Sequence, residues 1–181
     1  MPETLLLDTN IWLDSYLGNR PHHREVLRLM TMAISDGVEL LYAVTSIKDV
    51  FYKVAASLKQ TAREARNGEL SNTDGKAANA AALGCINNMT QIATAVGVNT
   101  SDVWLALKLS RVHTDFEDDL IIAAAQRAQA DYLVTNDRLL LRHAPVNALS
   151  SADMLNHLEM CEQARQAIAG IGPEGKLLAT S

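Results

Sequence analysis

The sequence predicts an α/β fold, a short parallel sheet covered by helices on both faces. The strand candidates at residues 4–7, 38–44 and 131–134 are short and largely apolar, as strands buried on both faces are. Helical stretches separate them, so strand and helix alternate along the chain.

Residues 4–7 are an apolar run that ends at Asp8 and reads as a buried strand. Residues 10–17 follow as a helix, capped by Asp8 or Thr9. Gly18 and Pro21 interrupt, and Pro21 suits the first turn of a second helix. That helix carries Val26, Leu27, Leu29, Met30 and Ile34 and stops near Gly37. After the strand at 38–44, Ser46 opens a helix with Asp49 three residues on, the spacing of a capping box with Asp in place of Glu. Residues 66–74 are rich in Asn, Gly, Ser and Asp and read as a loop. Residues 76–96 are Ala-rich and helical, with Gly97 as the stop.

Residues 101–112 form a further helix with Val103, Trp104, Leu107 and Leu109 as apolar positions. The run HTDFEDD leads into the strongly helical LIIAAAQRA. The strand at 131–134 is followed by Thr135, Asn136 and Asp137, a helical turn at 138–141 and a weak strand at 146–149. A last helix spans 150–158, capped by Ser150 or Ser151. The tail after Ile171, with Gly172, Pro173 and Gly175, is expected to be mobile.

A chain of 181 residues with 48% hydrophobic and 20% charged residues can bury one core. The expected organisation is one domain over residues 1–158 and a C-terminal extension over 159–181. No apolar run is long enough to span a membrane, and the opening MPETLLLD lacks the features of a secretory signal. Cys85 and Cys161 make neither a disulfide framework nor a metal-ligand spacing, so a reducing cytoplasm is expected. A net charge of -5 opposes nonspecific nucleic-acid binding, unless the acids are gathered around a cation.

Sites in open parallel sheets form beyond the carboxyl ends of the strands. Asp8 and Asp137 each stand where a strand passes into a helix, and Asp118 lies in the first turn of another helix. Ile121, Ile122 and Ala125 follow Asp118 on one apolar stripe, whereas the face beyond Asp119 turns polar at Gln126. Asp118 is therefore chosen as the functional acid and Asp119 is expected to be its more exposed neighbour. Any one acid at a helix start is explained by capping. Several converging on one crevice repel each other unless a cation neutralises them, and oxygen-only ligation favours Mg2+ or Mn2+. Such an ion activates water against a phosphodiester. Asn10, Thr135 and Asn136 are placed to orient these acids or to serve the turns themselves, and Asp115 to cap its helix or stand at the rim.

The segments LLLDTNIWLD, TSIKDVFYKV and DFEDDLIIAAAQRAQADYLVTND resemble, in order, motifs of PIN domains. The resemblance covers most of residues 3–150, and it implies kinship with the VapC-type toxins of bacterial toxin–antitoxin pairs and similar stand-alone bacterial PIN proteins. It implies an α/β/α sandwich and a Mg2+- or Mn2+-dependent endoribonuclease. It places the family's acids at Asp8, Asp49, Asp118 and Asp137, with Asp49 one methylene shorter than the usual Glu. The metal ligands among them are Asp8, Asp118 and Asp137, and Thr135 or Asn136 matches the polar residue beside the last acid. An RNA substrate, an antitoxin partner and a homodimer are implied as well. The helical stretch between Lys53 and Gly97 is longer than in a minimal member.

Other classes fit less well. A response receiver needs a Lys after a later strand, absent from TNDRLLL, and a haloacid-type phosphatase needs an acid where Asn10 stands. The alternative within the family is a catalytically weak or inactive module that binds RNA or protein, favoured by Asp49 and by the negative charge.

Overall fold

The apolar run after Glu3 becomes β1 (Thr4–Leu7), the middle strand of the sheet in a computed structural model that describes residues 3–110 and 115–169. Asp8 caps α1 (Thr9–Tyr16), which is followed by α2 (His23–Ser35). The left-handed φ of +71° at Gly37 turns the chain from α2 into β2 (Glu39–Ala43). Two long helices, α3 (Val44–Glu64) and α4 (Asn72–Ile92), lead to β3 (Thr94–Val96) and α5 (Thr100–Leu109). The second half contains α6 (Phe116–Ala128), β4 (Tyr132–Val134), α7 (Arg138–His143), β5 (Ala148–Leu149) and α8 (Ser151–Ala169).

The strands form one sheet in the order β3-β2-β1-β4-β5, with every pair parallel. Alternation along each strand divides the core into two layers. Leu5 and Leu7 of β1, Leu40 and Tyr42 of β2 and Val134 of β4 pack with α1, α2, α3 and α8. Leu6, Leu41, Ala43, Val96 and Leu133 pack on the other side against Ile121, Ile122, Ala124 and Ala125 of α6. The result is the expected α/β/α sandwich. Among the described residues no helix is long and apolar enough to cross a membrane.

Several expectations change, among them Pro21, which precedes α2 and its cap His22 rather than standing in its first turn. The helix at 76–96 ends at Ile92, and Thr94–Val96 leaves it to pair with Leu41–Ala43 as an edge strand. The Ala-rich pattern hid this strand, whose β-branched Thr94 and Val96 are its only local signal. The Ser46 capping box does not form: α3 starts at Val44, and the buried Ser46 hydroxyl instead accepts a hydrogen bond from Thr9 Oγ1 at 2.9 Å. The last helix does not stop at 158 but runs to Ala169, with Ser150 Oγ accepting from the Asp153 N–H at its start. Asp119 is not exposed but 0% accessible, because α6 is covered by the sheet on one side and by α5 on another, so that Ile121–Ala125 is buried throughout. The expected end of α5 at Val112 and the tail after Ile171 lie outside the described residues.

Candidate metal centre

Because β2 lies on one side of β1 and β4 on the other, the chain reverses its winding direction at β1, and a crevice opens at the carboxyl ends of β1 and β4. Leu7 pairs with Val134, which sets Asp8 beside Thr135. A cleft of about 310 Å³ here is lined by residues including Asp8, Asn10, Asp115, Asp118 and Asp137. All five are candidate site residues of the sequence.

Asp8 is 4% exposed and held from all sides. Its Oδ1 accepts from the Thr9 N–H at 2.6 Å. Its Oδ2 accepts from Asn10 Nδ2 at 2.6 Å and from the Thr135 hydroxyl at 2.7 Å. The same hydroxyl oxygen accepts from Asn10 Nδ2 at 3.0 Å and from the Asp137 N–H at 3.0 Å. Thr135, fully buried, thus joins two acids that are distant in sequence. Asp137 caps α7, with Oδ1 accepting from the N–H groups of Leu139 and Leu140 at 2.7 and 3.1 Å, which aims the carboxylate at a fixed angle. Asp115 caps α6 by accepting from the Glu117 N–H at 2.9 Å.

Electrostatics mark the cleft. Burial pushes the Asp8 carboxyl up to about 6, and Asp137 adds to the rise, against the Thr135 and Thr9 hydrogen bonds and the Lys53 charge. Burial, then the charges of Asp8, Asp115, Asp137 and Glu117, push Asp118 up to about 7. Burial first, and then crowding, raise these carboxyls; a divalent cation would relieve the crowding, and the donors are all oxygens of the kind Mg2+ and Mn2+ take. The residues present therefore fit such an ion.

Asn136 does not line the cleft. Its side chain donates to the buried Asp14 at 3.1 Å, and its carbonyl accepts from the Ser151 N–H at 3.1 Å, tying the β4 turn to α1 and α8. Its backbone N–H donates to Asn10 Oδ1 at 3.1 Å. Asp49 does not line the cleft either: it stands near Glu117, which does. Burial first, and then Asp49, push the Glu117 carboxyl up.

Glu117, Arg20 and Lys53 also line the cleft, and no local pattern in the sequence marks them out. Glu117 stood in plain view within DFEDD, but nothing local separates it from its acidic neighbours. Arg20 reaches the cleft while its Nε donates to Asp14 across the turn at Gly18, a contact with no regular spacing to betray it.

A family model described as a PIN domain matches residues 4–139. No curated protein sequence matches the chain. The fold is similar to VapBC2 from Rickettsia felis bound to a DNA fragment from its promoter, at 13% identity and a TM-score of 0.57, over 81% of this chain and 98% of that one. It is also similar to FitAB bound to an IR36 DNA fragment, at 14% identity and a TM-score of 0.54, over 82% and 95%. VapC20 from Mycobacterium tuberculosis, a sarcin-ricin loop cleaving toxin, is similar at 13% identity and a TM-score of 0.50, over 71% and 86%.

Proposed function

The chain belongs to the PIN-domain family, and from that premise we propose that it is a Mg2+- or Mn2+-dependent endoribonuclease, the toxin of a toxin–antitoxin pair. The observation that carries this reading is the convergence of Asp8, Asp118 and Asp137, from three separate elements, on one cleft at the carboxyl end of a parallel sheet.

In this reading Asp8, Asp118 and Asp137 hold the cation. When bound, it lowers the pKa of water and neutralises charge developing on the phosphate. The protein's own part is positioning. Asn10 and Thr135 fix Asp8, the α7 amides fix Asp137, and Asn136 braces the turn between them. Lys53 and Arg20 stand on the cleft wall, where each can meet a phosphate oxygen that the net negative charge of the chain otherwise repels. Asp49 and Glu117 act as neighbouring acids, the longer Glu117 reaching the cleft that the shorter Asp49 does not line.

Cleavage of RNA by the purified chain, dependent on Mn2+ or Mg2+ and lost in Asp8→Asn with the circular dichroism unchanged, is the expected result. Full activity in that variant overturns the assignment. The place of Asp49 behind Glu117 favours a second reading, an inactive binding module, for which Mn2+ would give no thermal stabilisation. An antitoxin partner follows from the likeness to VapBC2 and FitAB and is tested by co-purification with a co-expressed neighbouring gene product. A homodimer is supported by exposed apolar side chains on α2 and α3, among them Leu27, Ile34 and Tyr52, and is tested by sedimentation.

A further inference from the structure

At the end of β1 remote from the acid cleft, three unlike donors meet. Glu3 precedes β1, and His157 and Cys161 stand four residues apart on α8, hence on one face of it. His157 Nε2 lies 2.9 Å from Glu3 Oε1 and 3.7 Å from Cys161 Sγ. One donor atom from each residue falls within 4.8 Å of the other two, and all three residues are half-buried. The Tyr132 ring packs against the imidazole with centroids 5.3 Å apart, which limits its rotation. The Glu3 carbonyl accepts from the Glu39 N–H at 2.9 Å, so its backbone is anchored in the sheet while its carboxylate can swing.

We propose that Glu3, His157 and Cys161 form a second cation site, for a borderline divalent ion of the zinc class. The donor chemistry selects the ion. Sulfur, nitrogen and oxygen together suit Zn2+, whereas the all-oxygen cleft suits Mg2+ or Mn2+. The geometry also fits. Bonds of about 2.0–2.3 Å in a tetrahedral site set donor atoms roughly 3.3–3.7 Å apart. The nitrogen and sulfur are already at that separation. The nitrogen and oxygen must open by about half an ångström, within the reach of a half-exposed glutamate side chain. Binding displaces the thiol proton and any proton on His157 Nε2 to solvent and leaves a fourth position for water. The ion would fasten α8 to the sheet, adding to the Arg28–Glu159 and Arg165–Asp36 pairs that hold the same helix to α2 and to the residue after it. The four residues of β1, about 13 Å of strand, separate this site from Asp8.

The test uses the full chain, reduced and freed of metal by a chelator, then titrated with Co2+, whose thiolate charge-transfer absorption reports sulfur ligation. One equivalent is expected to build that absorption, Zn2+ to bleach it and saturating Mg2+ to leave it. Cys161→Ser and His157→Ala are expected to abolish it, and Cys85→Ser to keep it. Glu3→Gln should weaken Zn2+ binding at least about tenfold, the lower end of what even an outer-shell change costs a metal site. No absorption at one equivalent, absorption that survives Cys161→Ser or His157→Ala, or Zn2+ affinity unchanged in Glu3→Gln would overturn the proposal. None of these readouts depends on ribonuclease activity.

Discussion

Replacing Asp118 with Asn removes one ionisable group from the crowded cleft at almost constant volume. In the folded protein without metal this carboxyl is raised from 3.8 to about 7. The fold therefore holds the proton more tightly than the unfolded chain does. The stability linked to Asp118 is fully present below pH 3.8 and is lost as pH rises through about 7. At full weight the rise corresponds to about 4 kcal/mol. Asp118 is partly open to solvent, and screening reduces this to about 1–2 kcal/mol. Asp118→Asn is thus expected to exceed the parent protein in stability by about 1–2 kcal/mol at pH 8 in EDTA, and by little at pH 4. Mn2+ should reverse the order. At a hundred times its dissociation constant it adds about 2.7 kcal/mol to the parent. The variant, short of one ligand, gains less. Urea unfolding at the two pH values, with EDTA and then with Mn2+, reads all of this. A variant less stable than the parent at pH 8 in EDTA, or one that gains as much from Mn2+, would refute the reasoning.

Other perturbations follow from the same contacts. Thr135→Val removes the hydroxyl shared by Asp8, Asn10 and Asp137, and is expected to cost about 1–3 kcal/mol in denaturant unfolding. It should also move the Asp8 carboxyl above about 6, since the Thr135 hydrogen bond holds it down; an NMR titration of metal-free protein would show this. Arg127→Met leaves Asp102, 3% exposed, without the guanidinium whose Nε donates to both of its oxygens at 2.9 and 3.0 Å. The expected loss is about 2–3 kcal/mol by urea unfolding, below that of a fully buried pair because Arg127 is partly exposed. Leu133→Ala empties a position on β4, and should cost about 2–5 kcal/mol, seen as a lowered Tm.

Much of this protein is written locally. The apolar runs of β1, β2 and β4 announce strands buried on both faces, because past its first residue each is buried throughout. Asp8 follows the first of these runs directly and Asp137 stands three residues past the last, so their place at strand ends and helix starts was legible from the chain, as was Asp115 at the cap of α6. What lay beyond the sequence are relations between distant segments. The order β3-β2-β1-β4-β5 is set by which faces bury against which helices, and it alone puts Thr135 beside Asp8. Asp119 shows why periodicity misled: a helix covered on two sides buries a wide arc, and its exposed face cannot be read from one apolar stripe. Asp49 shows the same limit at a cap, where Thr9 claimed the Ser46 hydroxyl and α3 began at Val44 instead. Glu117, Arg20 and Lys53 joined the cleft only on folding, because a side chain's partner across the sheet depends on packing that no local pattern encodes.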